Sequence, residues 1–494
     1  MKNSPKVKIA LIGVSRDCFP VELARSRLKH LAKACRQKGL RPYTCKTIVE
    51  NENAAMTALA ETLDAGANAA VIFLGNFGPE GPLSILAEEF PGPVMACAAA
   101  EESKDSLTDG RGDAFCGMLN ASYNFRLRNA AVYIPQMPVA MAEQLAEKIA
   151  HFETVARILL GVWGLKIFTF GPRPQDFYAC NAPLKQLYDL GVEVMENSEL
   201  DLLHAYQAVD AKDPAVRRTA GQMAGELGRG NTYPDLPAKL ARFEVALRRF
   251  AGDNLGSRDY AVFANKCWPA FERAFGFVPC YVNSRLATGG MPVACEVDIY
   301  GALSEYLGQL ATDAPATLLD VNNTVPPDMI PAKAHLKGAS PEDLFMAFHC
   351  GNTPVSRMKN CAIKYQLIMK RLMEPDVAPD ITRGTLEGQI APGPVTFLRL
   401  QGDLDGDLAA YLAQGRILDI DPASFGCISV VAIPNFARFY RHVLIAKGFP
   451  HHAAVAFDHC GNALFDAMDM MGVDGIDTPL PDSVPYDREN PWAK

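Results

Sequence analysis

The feature that most restricts the fold is an alternation near the start of the chain. Short apolar runs, VKIALIGV, YTCKTIV, AAVIFLG and PVMACA, are interleaved with helix-like stretches around 20–38, 53–66 and 80–90. Such alternation argues for a parallel sheet covered by helices on both faces. Sheets of this kind bind ligands beyond the carboxyl ends of their strands, so Ser15, Arg16 and Asp17 after the first run and GNFGPEG (75–81) after the third are candidate cleft loops. Ordinary turn chemistry is the competing explanation for both. No GxGxxG follows any of these runs, and GRGNTY (228–233) fails at its third glycine, so a dinucleotide site is not indicated.

A helical stretch from about 138 to 160 leads into LKIFTFGP, where a second α/β region begins. It carries a polar helical insertion over roughly 209–252, then another strand-and-helix pattern starting at YAVFANKCW. Beyond ATLLDVNN (316–323) the texture changes to β-like runs, FMAFHCGN, GPVTFLRLQG and FGCISVVAI, separated by Gly and Pro. The 494 residues exceed what one core supports, and three domains are expected: 1–160, 161–312 and 313–494, the last rich in β-structure.

The net charge of -8 argues against a nucleic-acid partner, which would need a basic surface. The longest run free of Asp, Glu, Lys and Arg is the sixteen residues from Pro422 to Ala437, broken by two prolines and too short to span a bilayer. MKNSPKVKIALIGVSRDC lacks the build of a secretory signal, and the 13 cysteines are scattered without a CxxC. A cytoplasmic protein with a small-molecule ligand is therefore expected, without a disulfide framework or a membrane association.

Two acids stand where the pattern asks for core. In MPVACEVDIYGALSEYL (291–307), Glu296 and Asp298 fall between a strand-like and a helix-like run, and Asp320 ends the apolar ATLLD before the polar VNNT. Two carboxylates at two strand ends can converge over one cleft, and buried ionised carboxylates need a cation, a donor network or a shifted pKa. For Glu296 a second explanation stays open, an acid at a helix N-terminus satisfied by the dipole. His451, His452 and His459 crowd into GFPHHAAVAFDHCGN, and His349 lies in FHCGN. Two carboxylates and an imidazole with open positions suit Mn²⁺ or a related divalent ion better than a structural zinc site, although such histidines also serve as hydrogen-bonded structure.

Taken together, NKCWPAFERAFGFVPCYVNSRLATGGMPVACEVDIYGAL, LLDVNN, FHCGN and HHAAVAFDHCGN resemble the L-fucose isomerase family and, more distantly, L-arabinose isomerase. The resemblance covers most of the chain and is most specific from about residue 265 onward. It implies two Rossmann-like parallel-sheet α/β domains followed by a C-terminal antiparallel β-barrel domain. It further implies a Mn²⁺-dependent aldose–ketose isomerase acting on an open-chain sugar of the L-fucose or D-arabinose kind. Carried over to this chain, the metal ligands fall on Glu296, Asp320 and His452, with Glu296 and Asp320 also as the catalytic acid/base pair. Sugar contacts fall on Arg16, Phe77, His349, Asn352 and His451, with Arg16 and Phe77 reaching the active site of a neighbouring subunit in a homo-oligomer, a hexamer or trimer. Phe77 replaces the family's tryptophan and His451 its asparagine.

The chemistry follows from the residue types. Moving a carbonyl between adjacent carbons requires removing a weakly acidic C–H proton and returning one next door, through an enediolate that a divalent cation stabilises. A non-catalytic sugar-binding protein on the same scaffold is the alternative. A metal-dependent hydrolase is less well supported, because neither GxSxG nor HExxH occurs.

Overall fold

The computed structural model describes residues 3–490 except 109, 333, 334, 337 and 404, together with Trp492. Its contacts divide the chain into a smaller unit, residues 5–160 with 466–471, and a larger one made of 1–4, 161–465 and 472–494.

In the smaller unit, the apolar runs become strands β1 (Ile9–Val14), β2 (Tyr43–Thr44), β3 (Ala69–Leu74), β4 (Val94–Ala99), β5 (Val132–Tyr133) and β6 (Val139–Ala140). They pair in parallel in the order β2-β1-β3-β4-β5, with β6 also on β4. Every residue of β1, β3 and β4 is buried, as expected of a sheet covered on both faces. The YTCKTIV run yields only two residues of strand. It stays beside β1 through Cys45 N–H to Leu11 O and Val49 N–H to Gly13 O, but the Glu61 carboxylate draws Lys46 N–H and the Thr47 hydroxyl away at the edge.

The two candidate cleft loops lie side by side at the carboxyl ends of β1 and β3. Asn76 ties them together: its Oδ1 accepts from Arg16 N–H (3.0 Å) and its Nδ2 donates to the Ser15 hydroxyl (2.8 Å). At Gly75 a Cβ would come within 2.5 Å of the Ala24 backbone, so only glycine lets the loop pass the helix Val21–Gln37. On the helix Ala114–Leu127, Phe115, Leu119, Tyr123 and Leu127 recur every fourth residue and are each more than 60% exposed.

The larger unit contains a second parallel sheet, β7 (Leu165–Phe170), β8 (Glu193–Asn197), β9 (Tyr260–Asn265) and β10 (Val293–Cys295), ordered β10-β9-β7-β8. The polar insertion folds as the helices Pro214–Leu227 and Leu236–Asn254. The β-like runs near the C-terminus form a nine-stranded sheet from β11 (Thr317–Thr324), β12 (Leu344–His349), β13 (Met358–Tyr365), β14 (Arg383–Ile390), β15 (Gly393–Gly402), β16 (Leu408–Leu418), β17 (Cys427–Ala432), β18 (His452–Ala456) and β19 (Gly475–Asp477). Its order is β13-β14-β17-β12-β11-β18-β15-β16-β19, with β16 also paired to β17. The sheet is mixed rather than wholly antiparallel, because β14 runs parallel to β17 and β19 parallel to β16.

The helix Ile299–Thr312 joins the two sheets of this unit. It is buried from Ile299 to Ala311 and packs on β9, β10, β15 and β18. Even its polar residues Ser304, Glu305 and Gln309 are buried, as in a helix enclosed on all sides. No helix among the described residues is long and apolar enough to cross a membrane.

Candidate active site

β10 stops at Cys295, and the chain reaches the helix Ile299–Thr312 in three residues. Glu296 and Val297 make that turn with φ of 60° and 58°, the left-handed region, which costs a non-glycine residue about 1–2 kcal/mol each. A β-branched valine there is a marked outlier. Asp298 then caps the helix, its Oδ1 accepting from Gly301 N–H at 2.8 Å. The N-cap acid is thus Asp298, and Glu296 is freed from that duty. Gly301 is required here too, because a Cβ would sit 2.4 Å from Asp298 Oδ2.

Asp320 is not at a strand end. β11 continues four residues beyond it to Thr324, and Asp320 lies in mid-strand directly opposite His452 on β18 and Phe348 on β12. Cross-strand partners bring side chains together. His452 Nε2 lies 3.6 Å from Asp320 Oδ1 and 3.3 Å from Glu296 Oε2. Glu296 Oε1 accepts from the Trp268 indole N–H at 2.9 Å.

On its other side the His452 ring is locked. Nδ1 lies 2.8 Å from Asp298 Oδ2 and donates to it, while Arg399 grips the same carboxylate through Nη1 (2.5 Å) and Nη2 (2.9 Å). Asp298, Arg399 and His452 are all about 1% exposed. The Asp298 carboxylate on Nδ1 fixes the ring so that Nε2 faces Glu296 and Asp320, the usual support of a metal-ligating histidine, and against burial it holds the imidazole well above its ordinary pKa. Nothing in the charge or period of FLRLQG announces this partner, except that Arg399 is the one charged residue in an otherwise apolar strand core.

Burial raises Asp298, but Arg399 and His452 outweigh it and hold the carboxyl below the carboxylate range. Glu296 is likewise lowered, burial being overcome by the hydrogen bonds from His452 and Trp268. Asp320 goes the other way, to about 7, because burial and the nearby Glu296 charge exceed the attraction of His452. His349 and His451 are pushed down to about 3 and about 4, chiefly by burial and then by His452, so both are neutral. His349 Nδ1 accepts from Cys350 N–H at 2.9 Å, which leaves its proton on Nε2.

These groups line a cavity of about 420 Å³, within the usual range for a small-molecule site. His349 and His451 are in its wall with Glu296, Asp320 and His452. Asn352 is buried but outside the lining, its Nδ2 donating to Leu318 O at 3.2 Å. Arg16 and Phe77 belong to the smaller unit, where the guanidinium sits 5.0 Å over the Phe77 ring and reaches Glu80 at 3.4 Å. His459 turns away to Gly415 O. The donor set fits a divalent cation: Glu296 with His451 and His452, and Asp320 with His349 and His452, each offer ligand atoms within 4.8 Å of one another. Asp320 Oδ1 has no hydrogen-bond partner although it is buried, the mark of an oxygen whose partner is an ion or a ligand.

Family models match two parts of the chain. Residues 10–163 match the fucose/sulfoquinovose isomerase N-terminal domain, and residues 347–477 match the L-fucose isomerase C-terminal domain. Among curated relatives, a sulfoquinovose isomerase of a Clostridium species is 26% identical over 67% of this chain and 68% of its own length. Those of Alkalicoccus urumqiensis (26%, covering 65% of each chain) and Priestia aryabhattai (23%, covering 78% of this chain and 80% of its own) are similarly related. The chain therefore belongs to the fucose/sulfoquinovose isomerase family and is, as a member, an aldose–ketose isomerase.

Proposed function

We propose that the enzyme isomerises an open-chain aldose at the cavity around His452, with a divalent cation, Mn²⁺ first, held by Glu296, Asp320 and His452. The observation that carries this is a single imidazole nitrogen, oriented from behind by Asp298, within 3.6 Å of oxygens from two different carboxyls. When bound, the cation would supply positive charge where the substrate's two oxygens gain negative charge. Glu296 and Asp320, which reach the same imidazole nitrogen from two different elements, are proposed as the acid/base pair as well as cation ligands. His349, neutral with a free Nε2–H, and His451 are proposed sugar contacts; Asn352 would support β11 from behind.

The relatives' names make sulfoquinovose the first substrate to test, ahead of L-fucose and D-arabinose. A panel of aldoses assayed for ketose, after chelation and again with Mn²⁺, tests both metal and substrate. Ketose that forms equally without metal refutes the cation's role. No ketose, and no deuterium entering C1 or C2 of any sugar, refutes the reaction.

The exposed Phe115, Leu119, Tyr123 and Leu127 stripe supports the proposal of a homo-oligomer, in which Arg16 and Phe77 would contact the sugar of a neighbouring subunit. A Leu119→Ser, Tyr123→Ser variant that sediments like the wild type refutes the stripe's part in it. All thirteen cysteines are free, which suits the proposed reducing, cytoplasmic setting. The additional β16–β17 pairing supports reading the nine-stranded sheet as partly closed on itself, in the manner of a barrel.

A further inference from the structure

One acid in the cavity wall has no part in the cluster around His452. Glu272 sits on the short helix Phe271–Phe275, is completely buried, and neither of its carboxyl oxygens has a hydrogen-bond partner. Its neighbours Phe271 and Phe275 stack at 4.2 Å between ring centres and pack edge-on against Phe243 and Phe277. The backbone carrying Glu272 is thus clamped by aromatics that gain nothing from a carboxyl. An unpartnered acid in such a place is a loss to stability, and an apolar residue of similar size would serve the packing better. The same cavity has no Lys or Arg among its described lining residues that could compensate the charge.

On the isomerase reading, we propose that Glu272 is a further sugar-binding group of this cavity, accepting a hydrogen bond from a substrate hydroxyl other than the two oxygens at the reacting carbons. A hydroxyl is the partner its surroundings lack: it can donate to a carboxylate, or accept from and donate to a carboxylic acid. Burial raises Glu272 to about 7, so both forms are present near neutral pH. The aromatic clamp holds the group in place before the sugar arrives, which spares the cost of ordering it on binding.

The test compares the wild type with Glu272→Leu and Glu272→Gln in Mn²⁺-loaded enzyme. Thermal unfolding, calorimetric binding of sulfoquinovose, L-fucose and D-arabinose, and steady-state kinetics are measured on each. The expected result for Glu272→Leu is a midpoint equal to or above the wild type, with binding and KM weakened roughly tenfold to a hundredfold and kcat little changed. Glu272→Gln, which can still bond a hydroxyl, recovers most of that loss. A structural role would instead lower the midpoint of Glu272→Leu and leave KM alone, which overturns the proposal. Equal sugar affinity in all three proteins overturns it as well, as does the absence of sugar binding to the wild type. If the wild type binds a sugar without making ketose, the isomerase reading fails while the binding comparison still decides the role of Glu272.

Discussion

The paired loops of the smaller unit and the cavity of the larger one both gather polar residues beside buried strands, yet they treat those residues in opposite ways. Around Ser15, Arg16 and Asn76 the polar groups are largely answered by neighbours, although Arg27 Nε is buried without one: Asn76 bridges the loops, Arg27 bonds Gly75 O and Glu101 through its other nitrogens, and Arg16 reaches Gly78 O. Around His452 the backbone is held in left-handed conformations at Glu296 and Val297, and Asp320 Oδ1 and both Glu272 oxygens are buried without a hydrogen-bond partner. Satisfied polar groups stabilise a fold, whereas strain and orphaned polar atoms persist where the surroundings over-determine them, and they cluster where a ligand is to be bound.

The sharpest way to break this contrast is to remove the acids in the cavity. Glu296→Gln and Asp320→Asn should each lower kcat by about 10² to 10⁴-fold, the usual contribution of a positioned acid/base group, with an unfolding midpoint unchanged or raised. A falling midpoint would mean that these residues stabilise the fold as Asn76 does. Behind them, Asp298→Ala leaves Arg399 buried and unpaired, and should cost about 3–5 kcal/mol in denaturant unfolding. Asp298→Asn, milder in stability, should still weaken Mn²⁺ binding about 10 to 100-fold by calorimetry, because the orientation of His452 is lost.

Glu305 sharpens the comparison through pH. It is buried on the helix Ile299–Thr312, Oε2 lacks a partner, and burial followed by the Asp298 charge raises it to about 8. The unfolded chain ionises this group near 4.5 while the folded one keeps its proton, so the wild type should lose stability as pH rises from about 4.5 to 8. Urea midpoints of Glu305→Gln should fall less over that window; parallel curves would show that Glu305 does not carry the effect. The smallest effect is expected in the satisfied loops. Asn76→Ala should cost about 1–3 kcal/mol by unmaking buried hydrogen bonds, with Mn²⁺ affinity unchanged. A changed affinity would link the loops to metal binding and remove the distinction.

Much of this was readable in one dimension, unevenly. Apolar runs bounded by Gly and Pro gave the buried strands β1, β3, β4, β9, β12, β15 and β17, because full burial leaves a continuous apolar signature. YTCKTIV forms a strand only at Tyr43–Thr44; its pattern does not show that Glu61, some fifteen residues on, competes for its edge. The rise in polarity at VNNT makes Asp320 look like the end of a strand, but the strand continues as its residues become exposed. Glu296 and His452 could be singled out as polar residues in apolar context. Asp298 as the orienting acid, and Arg399 and Trp268 as partners, could not, since each acts through a contact 28 to 154 residues away in sequence.

The sequence alone therefore determined which segments are buried strands and which are helices, which polar residues stand out against that burial, and, through its resemblance, the family. These follow from local pattern, since the period and length of an apolar run are properties of neighbours. Only the tertiary structure decided that Asp298 rather than Glu296 caps the helix, that Asp320 faces His452 across two strands, and that Glu272 shares their cavity without a partner. Distances between side chains far apart in the chain are set by packing, and the packing of the helix Ile299–Thr312 against both sheets of the larger unit brings the acid of one to the histidine of the other.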